Sequence, residues 1–94
     1  WLTAQLDEIE AWEAPEHHWV GALEQRVEDL EAAWRATDLA VAVTNEVGWG
    51  LVSEHRSGRI FADRLGLVNQ RLAATADRVL LVVAGQVLPV KDLP

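Results

Sequence analysis

The sequence contains no cysteine and no methionine, and its only lysine is Lys91. Without cysteine there is no disulfide, no thiolate metal site and no cysteine nucleophile. Lys91 stands outside any glycine-rich turn, so the chain has no Gly-x-x-x-x-Gly-Lys-Ser/Thr, the arrangement in which backbone amides and a lysine cradle phosphates. No apolar run approaches the ~20 residues that span a bilayer, and a soluble, cytoplasmic protein without a membrane span is the expectation. The missing methionine, with an opening on Trp1 inside an apolar pattern, suggests a piece of a longer translation product.

What is present is apolar and acidic. Half of the 94 residues are hydrophobic and 24% are charged, a globular rather than a disordered balance. A chain this short makes one small domain at most and buries a modest share of its surface, so something else is expected to cover it. The net charge of −7 is unevenly placed. Residues 1 to 47 hold eleven acids against Arg26 and Arg35, whereas residues 48 to 94 hold four acids against five arginines and Lys91. An acidic first half repels a phosphate backbone, which argues against a nucleic-acid partner. Arg56, Arg59, Arg64 and Arg71 fall along one expected helix, where the ordinary reading is a solvated face and the alternative is a phosphate or partner contact.

Leu2, Leu6, Ile9 and Trp12 recur at helical spacing, and Ala14-Pro15 ends that helix because proline disfavours the helical region before it. Glu16-His17-His18 forms a polar link. Val20, Leu23, Val27, Leu30 and Trp34 then alternate steps of three and four, which places a second amphipathic helix before residue 36. Its other face carries Glu24, Glu28, Asp29 and Glu31, with Arg35 four residues after Glu31.

Beyond Thr37-Asp38 the period changes. Leu39-Ala40-Val41-Ala42-Val43 and Val79-Leu80-Leu81-Val82-Val83 are unbroken aliphatic runs, as expected of parallel strands covered on both faces. The helix from Ser57 to Ala76, with Ile60, Phe61, Leu65, Val68 and Leu72 buried, makes residues 39–84 a strand-helix-strand unit. After Ala84-Gly85, residues 86–90 read as a short strand turning back, which Pro89 confines to an edge. The expectation is α/β, with a mostly parallel sheet, helices on both faces and a C-terminal edge strand. So few strands cannot close a core, and more should come from outside the chain.

Thr44, Asn45, Glu46, Gly48 and Trp49 follow the first expected strand directly. In open α/β sheets ligands bind at the carboxyl ends of strands, and glycines let backbone approach a ligand. A strand-to-helix loop with ordinary turn residues is the alternative.

Val43-Thr44-Asn45-Glu46-Val47-Gly48-Trp49-Gly50-Leu51-Val52, then Arg59, Phe61, Asp63, Gly66 and Asn69-Gln70, then Asp77, Val79, Val82-Val83-Ala84-Gly85, Pro89 and Lys91 stand in one register. This ordered set, covering residues 39 to 91, resembles the C-terminal half of the bifunctional adenosylcobinamide kinase/adenosylcobinamide-phosphate guanylyltransferase family. Trp1-Leu2-Thr3 also resembles the residues that follow the family's Walker B aspartate. The resemblance implies a RecA-like P-loop α/β domain that phosphorylates adenosylcobinamide with a nucleoside triphosphate, GTP or ATP, and Mg. It then transfers GMP from GTP through a histidine-bound intermediate. It implies nucleotide and corrinoid as substrates and a homo-oligomer, the family's trimer.

In that family the P-loop, the guanylylated histidine and the Walker B acid lie upstream of this segment. None of His17, His18 or His55 takes that histidine's place, so no catalytic residue is assigned here and the segment alone is expected to be inactive. Three departures stand out. Ser53 replaces the family's usual proline, Thr44 its commoner serine, and Ala62 the arginine of Phe-Arg-Asp, which removes one possible phosphate contact.

Under the resemblance, Asn45 and Glu46 orient a water, a hydroxyl or a metal-bound water, against a loop-fixing role. Glu46 is the better candidate for proton or magnesium work, since carboxylates suit hard cations. Asn69-Gln70 reads as buried amides pinning helix to sheet. Adjacent His17 and His18 converge poorly on one metal ion, and Glu54-His55 reads as an exposed turn. Trp12, Trp19 and Trp34 fit helix faces, whereas Trp49 between two glycines could stack on a base or on the corrin. The competing class is a non-catalytic α/β assembly or interaction module. An upstream segment encoding a P-loop and a histidine decides for the enzyme. The isolated 94-residue piece is expected to be poorly folded or oligomeric and not to bind GTP; tight binding in a titration of the isolated piece would contradict this reading.

Overall fold

The computed structural model describes residues 1 to 92. Among them are α1 (Leu2–Glu8), a 3-10 turn (Glu16–His18), α2 (Val20–Ala36), α3 (Arg56–Thr75), β1 (Arg78–Val83) and β2 (Gln86–Asp92). The molecule is therefore α/β, with three helices and a two-stranded antiparallel sheet.

The periodic segments became helices with the expected faces. Leu2 and Leu6 of α1, Leu23 and Val27 of α2 and Val68 of α3 are buried together with Ala11 and Trp19. Val20, Leu30 and Trp34 of the α2 seam are half-buried, as are Ile60, Phe61, Leu65 and Leu72 of α3. Trp19 fills the centre at 2% exposure, with its indole N–H donating to Ala14 O at 3.2 Å. That bond satisfies the one polar atom that such a large apolar side chain brings inside.

Helix α1 stops at Glu8, well before the expected end at Ala14-Pro15. Glu10 takes a left-handed backbone, with φ 57. Its N–H reaches Asp7 O at 3.2 Å and the Ala11 N–H reaches Leu6 O at 3.0 Å. These two bonds are those of a Schellman motif, which satisfies terminal carbonyls, and the accompanying apolar contact is made by fully buried Leu6 and Ala11.

The uneven charge resolves into contacts between the two halves. Arg71 of α3 meets Glu24 at 2.8 Å and Glu31 at 3.4 Å on α2. Arg64 pairs with Glu16 and lies 5.4 Å over the Trp19 ring. Arg56 donates to the carbonyls of Ala11, Trp12 and Ala14. The solvated-face reading is thus corrected for these three arginines, which bind α3 to the N-terminal half. Each exposed ion pair contributes about 0 to 1 kcal/mol, so they fix orientation more than they stabilise.

Residues 78–92 form the expected hairpin. Ala84 and Gly85 have φ 51 and 74, the two left-handed positions of a type I′ turn, whose twist matches that of the strands it joins. The register shifts between Val79 and Leu80, where Leu80 pairs with Pro89 and Val79 with Lys91. A strand edge tolerates such an irregularity beside proline, which offers no N–H. Lys91 Nζ reaches back to Ala73 O at 2.9 Å and Ala74 O at 3.2 Å, fastening the hairpin to the C-terminal end of α3.

Residues 39–43 depart from expectation. They are not in a strand, and Leu39, Val41 and Val43 are 84%, 82% and 95% exposed. The sheet consists of β1 and β2 alone and is antiparallel, so the β-α-β unit with helices on both faces is not formed among the described residues. A strand is held by the ladder to its neighbour, and here β1 pairs only with β2. The helices instead pack on one another.

This placement of the core makes Leu23 a sensitive position. Leu23→Ala removes a side chain with 1% exposure and is expected to cost about 2 to 5 kcal/mol, read by denaturant unfolding of the full-length protein followed by tryptophan fluorescence.

Candidate functional site

The candidate edge is the run Thr44, Asn45, Glu46, Gly48 and Trp49, all exposed, with Val47 between them half-buried. It is seated on α3 by the Asn69 side chain. Thr44 Oγ1 donates to Asn69 Oδ1 at 2.8 Å, and Asn69 Nδ2 donates to Asn45 O at 3.0 Å. At Gly66 a Cβ would stand 3.7 Å from Val47 Cγ2, an ordinary van der Waals distance, which places the Val47 side chain beside this turn of α3.

Glu46 folds back on its own loop, its Oε1 accepting from the Gly48 amide at 2.7 Å. This short-range bond is of the kind that acidic residues make two residues on in turns. Trp49 projects outward at 74% exposure. The five residues are thus all solvent-exposed along one short loop.

The far end of the loop is anchored by Ser53. Its Oγ accepts from the His55 amide at 3.1 Å, and Arg59 donates to Ser53 O at 3.0 Å and to Glu54 O at 2.9 Å. A Cβ at Gly58 would come within 3.0 Å of both Oγ and Cβ of Ser53.

Other sequence candidates separate into those with partners and those without. Asn69 pins a loop to the helix rather than the helix to the sheet and is half-buried, and its neighbour Gln70 is exposed rather than buried. His17 and His18 meet edge to face at 4.3 Å, and no group of three or more His, Cys, Asp or Glu side chains gathers to hold a metal ion among the described residues. Trp34 is half-buried on α2, its Nε1 donating to Thr75 Oγ1 at 3.1 Å, whereas Trp12, also half-buried, lies in the turn after α1 rather than on a helix face. The sequence reading missed the Arg56 clamp. A cation in the first turn of a helix opposes the helix dipole, and that mismatch is the signal that could have shown it. A cavity of about 290 Å³ lined by Trp34, Thr37, Leu39, Thr75 and Asp77 opens at the start of the 39–43 run, away from the edge.

A family model described as cobinamide kinase / cobinamide phosphate guanyltransferase matches residues 1–90. The chain belongs to this family. The match takes in α1 and α2, beyond the residues 39 to 91 that carried the resemblance. Against the bifunctional adenosylcobalamin biosynthesis protein CobU of Salmonella typhimurium, identity is 47% over 76 residues, or 76% of this chain and 42% of that protein. Against the protein of the same name from Escherichia coli it is 49% over 65 residues, or 68% of this chain and 36% of that protein. The chain thus spans less than half the length of these curated relatives. No solved structure matches it. As a member of the cobinamide kinase and guanyltransferase family, it presents Thr44 to Trp49 on a surface set by α3.

The Ser53 anchor gives a prediction of sign. Alanine is the better helix former by about 1 kcal/mol, so Gly58→Ala would stabilise an unobstructed helix. Because Ser53 occupies that space, the substitution is expected to lower the melting temperature of the full-length protein in calorimetry, and a rise would refute the close approach.

Proposed function

We propose that this chain is the C-terminal part of an enzyme that phosphorylates adenosylcobinamide and transfers GMP from GTP to adenosylcobinamide phosphate in cobalamin biosynthesis. The observation that carries the reading is the family match over residues 1–90. In this reading the whole enzyme is a cytoplasmic, RecA-like P-loop domain, and the present chain is the C-terminal segment of that single α/β unit. Leu39 to Val43 is a strand completed by neighbours in the rest of the protein. The high exposure of Leu39, Val41 and Val43, with the partial exposure of Val82, Val83, Val87 and Leu88 on the hairpin, suits a surface that another part of the protein covers. The interaction-module alternative accounts for the same apolar surface but not for the family match.

The edge then forms one wall of the transferase site. The Asn45 side chain, without a hydrogen bond among the described residues, is available to orient a hydroxyl or water without adding charge. The Glu46 carboxylate accepts from the Gly48 amide and retains capacity for a second partner. Magnesium is commonly held by one or two carboxylates, water and substrate phosphates, and Glu46 fits as a ligand of that kind. When bound, the ion neutralises phosphate charge. Trp49 offers an apolar face to a base or to the corrin. The phosphate cradle and the nucleophile lie outside this chain, and the segment alone is inactive. The partners in this reading are nucleotide, corrinoid and further copies of the same protein.

The test is made in the full-length protein. Asn45→Ala and Glu46→Ala are each expected to lower kcat for phosphorylation or for GMP transfer by about ten-fold or more, with little change in melting temperature. Unchanged turnover in both reactions would make the edge structural only.

A further inference from the structure

We propose that Asn69 is a positioning residue for the transferase reaction, acting through the backbone of the Thr44-Asn45 edge. The proposal rests on the reading of that edge as the reactive wall. Asparagine is a poor helix former because its amide competes for nearby backbone groups, yet Asn69 sits well inside α3. Its amide instead reaches across to two consecutive residues of another segment. The oxygen accepts from the Thr44 hydroxyl at 2.8 Å, and the nitrogen donates to the Asn45 carbonyl at 3.0 Å.

Two bonds from one planar amide set both the position and the rotation of the chain they hold, which a single bond does not. The orientation of the amide follows from the chemistry of its partners. Reversed, it would set its oxygen against the Asn45 carbonyl oxygen, two acceptors without a proton between them. One turn earlier on the same face of α3, Gly66 lies beside Val47, the half-buried residue of the run. The helix thus holds the Thr44 side chain and the Asn45 backbone. It leaves the Asn45 side chain free of hydrogen bonds among the described residues. A grip on the backbone that spares the neighbouring functional side chain is a device for aiming it. Misplacing a reacting group by about 1 Å can cost roughly a hundred-fold in rate.

The test uses Asn69→Asp in the full-length enzyme, which keeps the volume and the oxygen facing Thr44 but sets an acceptor against the Asn45 carbonyl. The expected result is a fall in kcat of about ten- to a hundred-fold with the KM for nucleotide within about two-fold, at a folded fraction matched to the parent by calorimetry. Thr44→Val, which removes only the hydroxyl, is expected to lower kcat in the same direction, and Thr44→Ser to restore most of that loss. Should Asn69→Asp not fold, the two Thr44 variants decide. The proposal is overturned if Asn69→Asp, or in its place Thr44→Val, keeps parental kcat while Asn45→Ala loses it. It is equally overturned if each loss of kcat equals the loss of folded protein. Silence of Asn45→Ala and Glu46→Ala together would remove the reactive wall itself, and the proposal with it.

Discussion

Every described segment is registered against one helix. α3 sends Val68 into the core between α1 and α2, holds the loop after α1 through Arg56, and meets α2 and the 3-10 turn through Arg71 and Arg64. Away from that core, Gly66 lies beside Val47 of the candidate edge and Gly58 against Ser53, where the chain returns to the helix. Its last carbonyls hold the hairpin. One face is apolar, to form a core, and another, at Gly58, lets a segment lie close. A helix able to do both needs length, and α3 is the longest here at 20 residues.

The parts of the architecture that rest on local chemistry were legible in the amino-acid order. Three- and four-residue apolar steps located α2 and α3, and the break at Ala84-Gly85 between two apolar runs located the hairpin turn. The end of α1 was less legible. Glu10 carries the left-handed position usually given to glycine, and nothing in its side chain announces that. The Leu39 to Val43 run is unpaired among the described residues: aliphatic composition reports a fit to a sheet, whereas the ladder depends on a neighbour. The pattern described a surface suited to pairing, and the pairing itself lies in no local signal.

The candidate edge divides in the same manner. Its location followed from polar and permissive residues after an apolar run, and its family from an ordered set of residues that the match over residues 1–90 extends to both N-terminal helices. Its fastening was only partly legible. The Asn69 contact joins residues 24 and 25 positions apart, and the Arg56 clamp joins residues more than 40 apart, distances at which no periodicity connects them.

Lys91 adds a consequence of a different kind. It is the only lysine in the sequence, and its ammonium caps the carbonyls of Ala73 and Ala74. A cation at a helix C-terminus contributes about 0.3 to 1 kcal/mol, a small sum placed at the joint between helix and hairpin. Acylation of lysine within this chain therefore acts on one place alone. It would strip the charge from that joint and leave the helical core and the Asn69 contact chemically untouched, separating the hairpin's attachment from the rest of the fold.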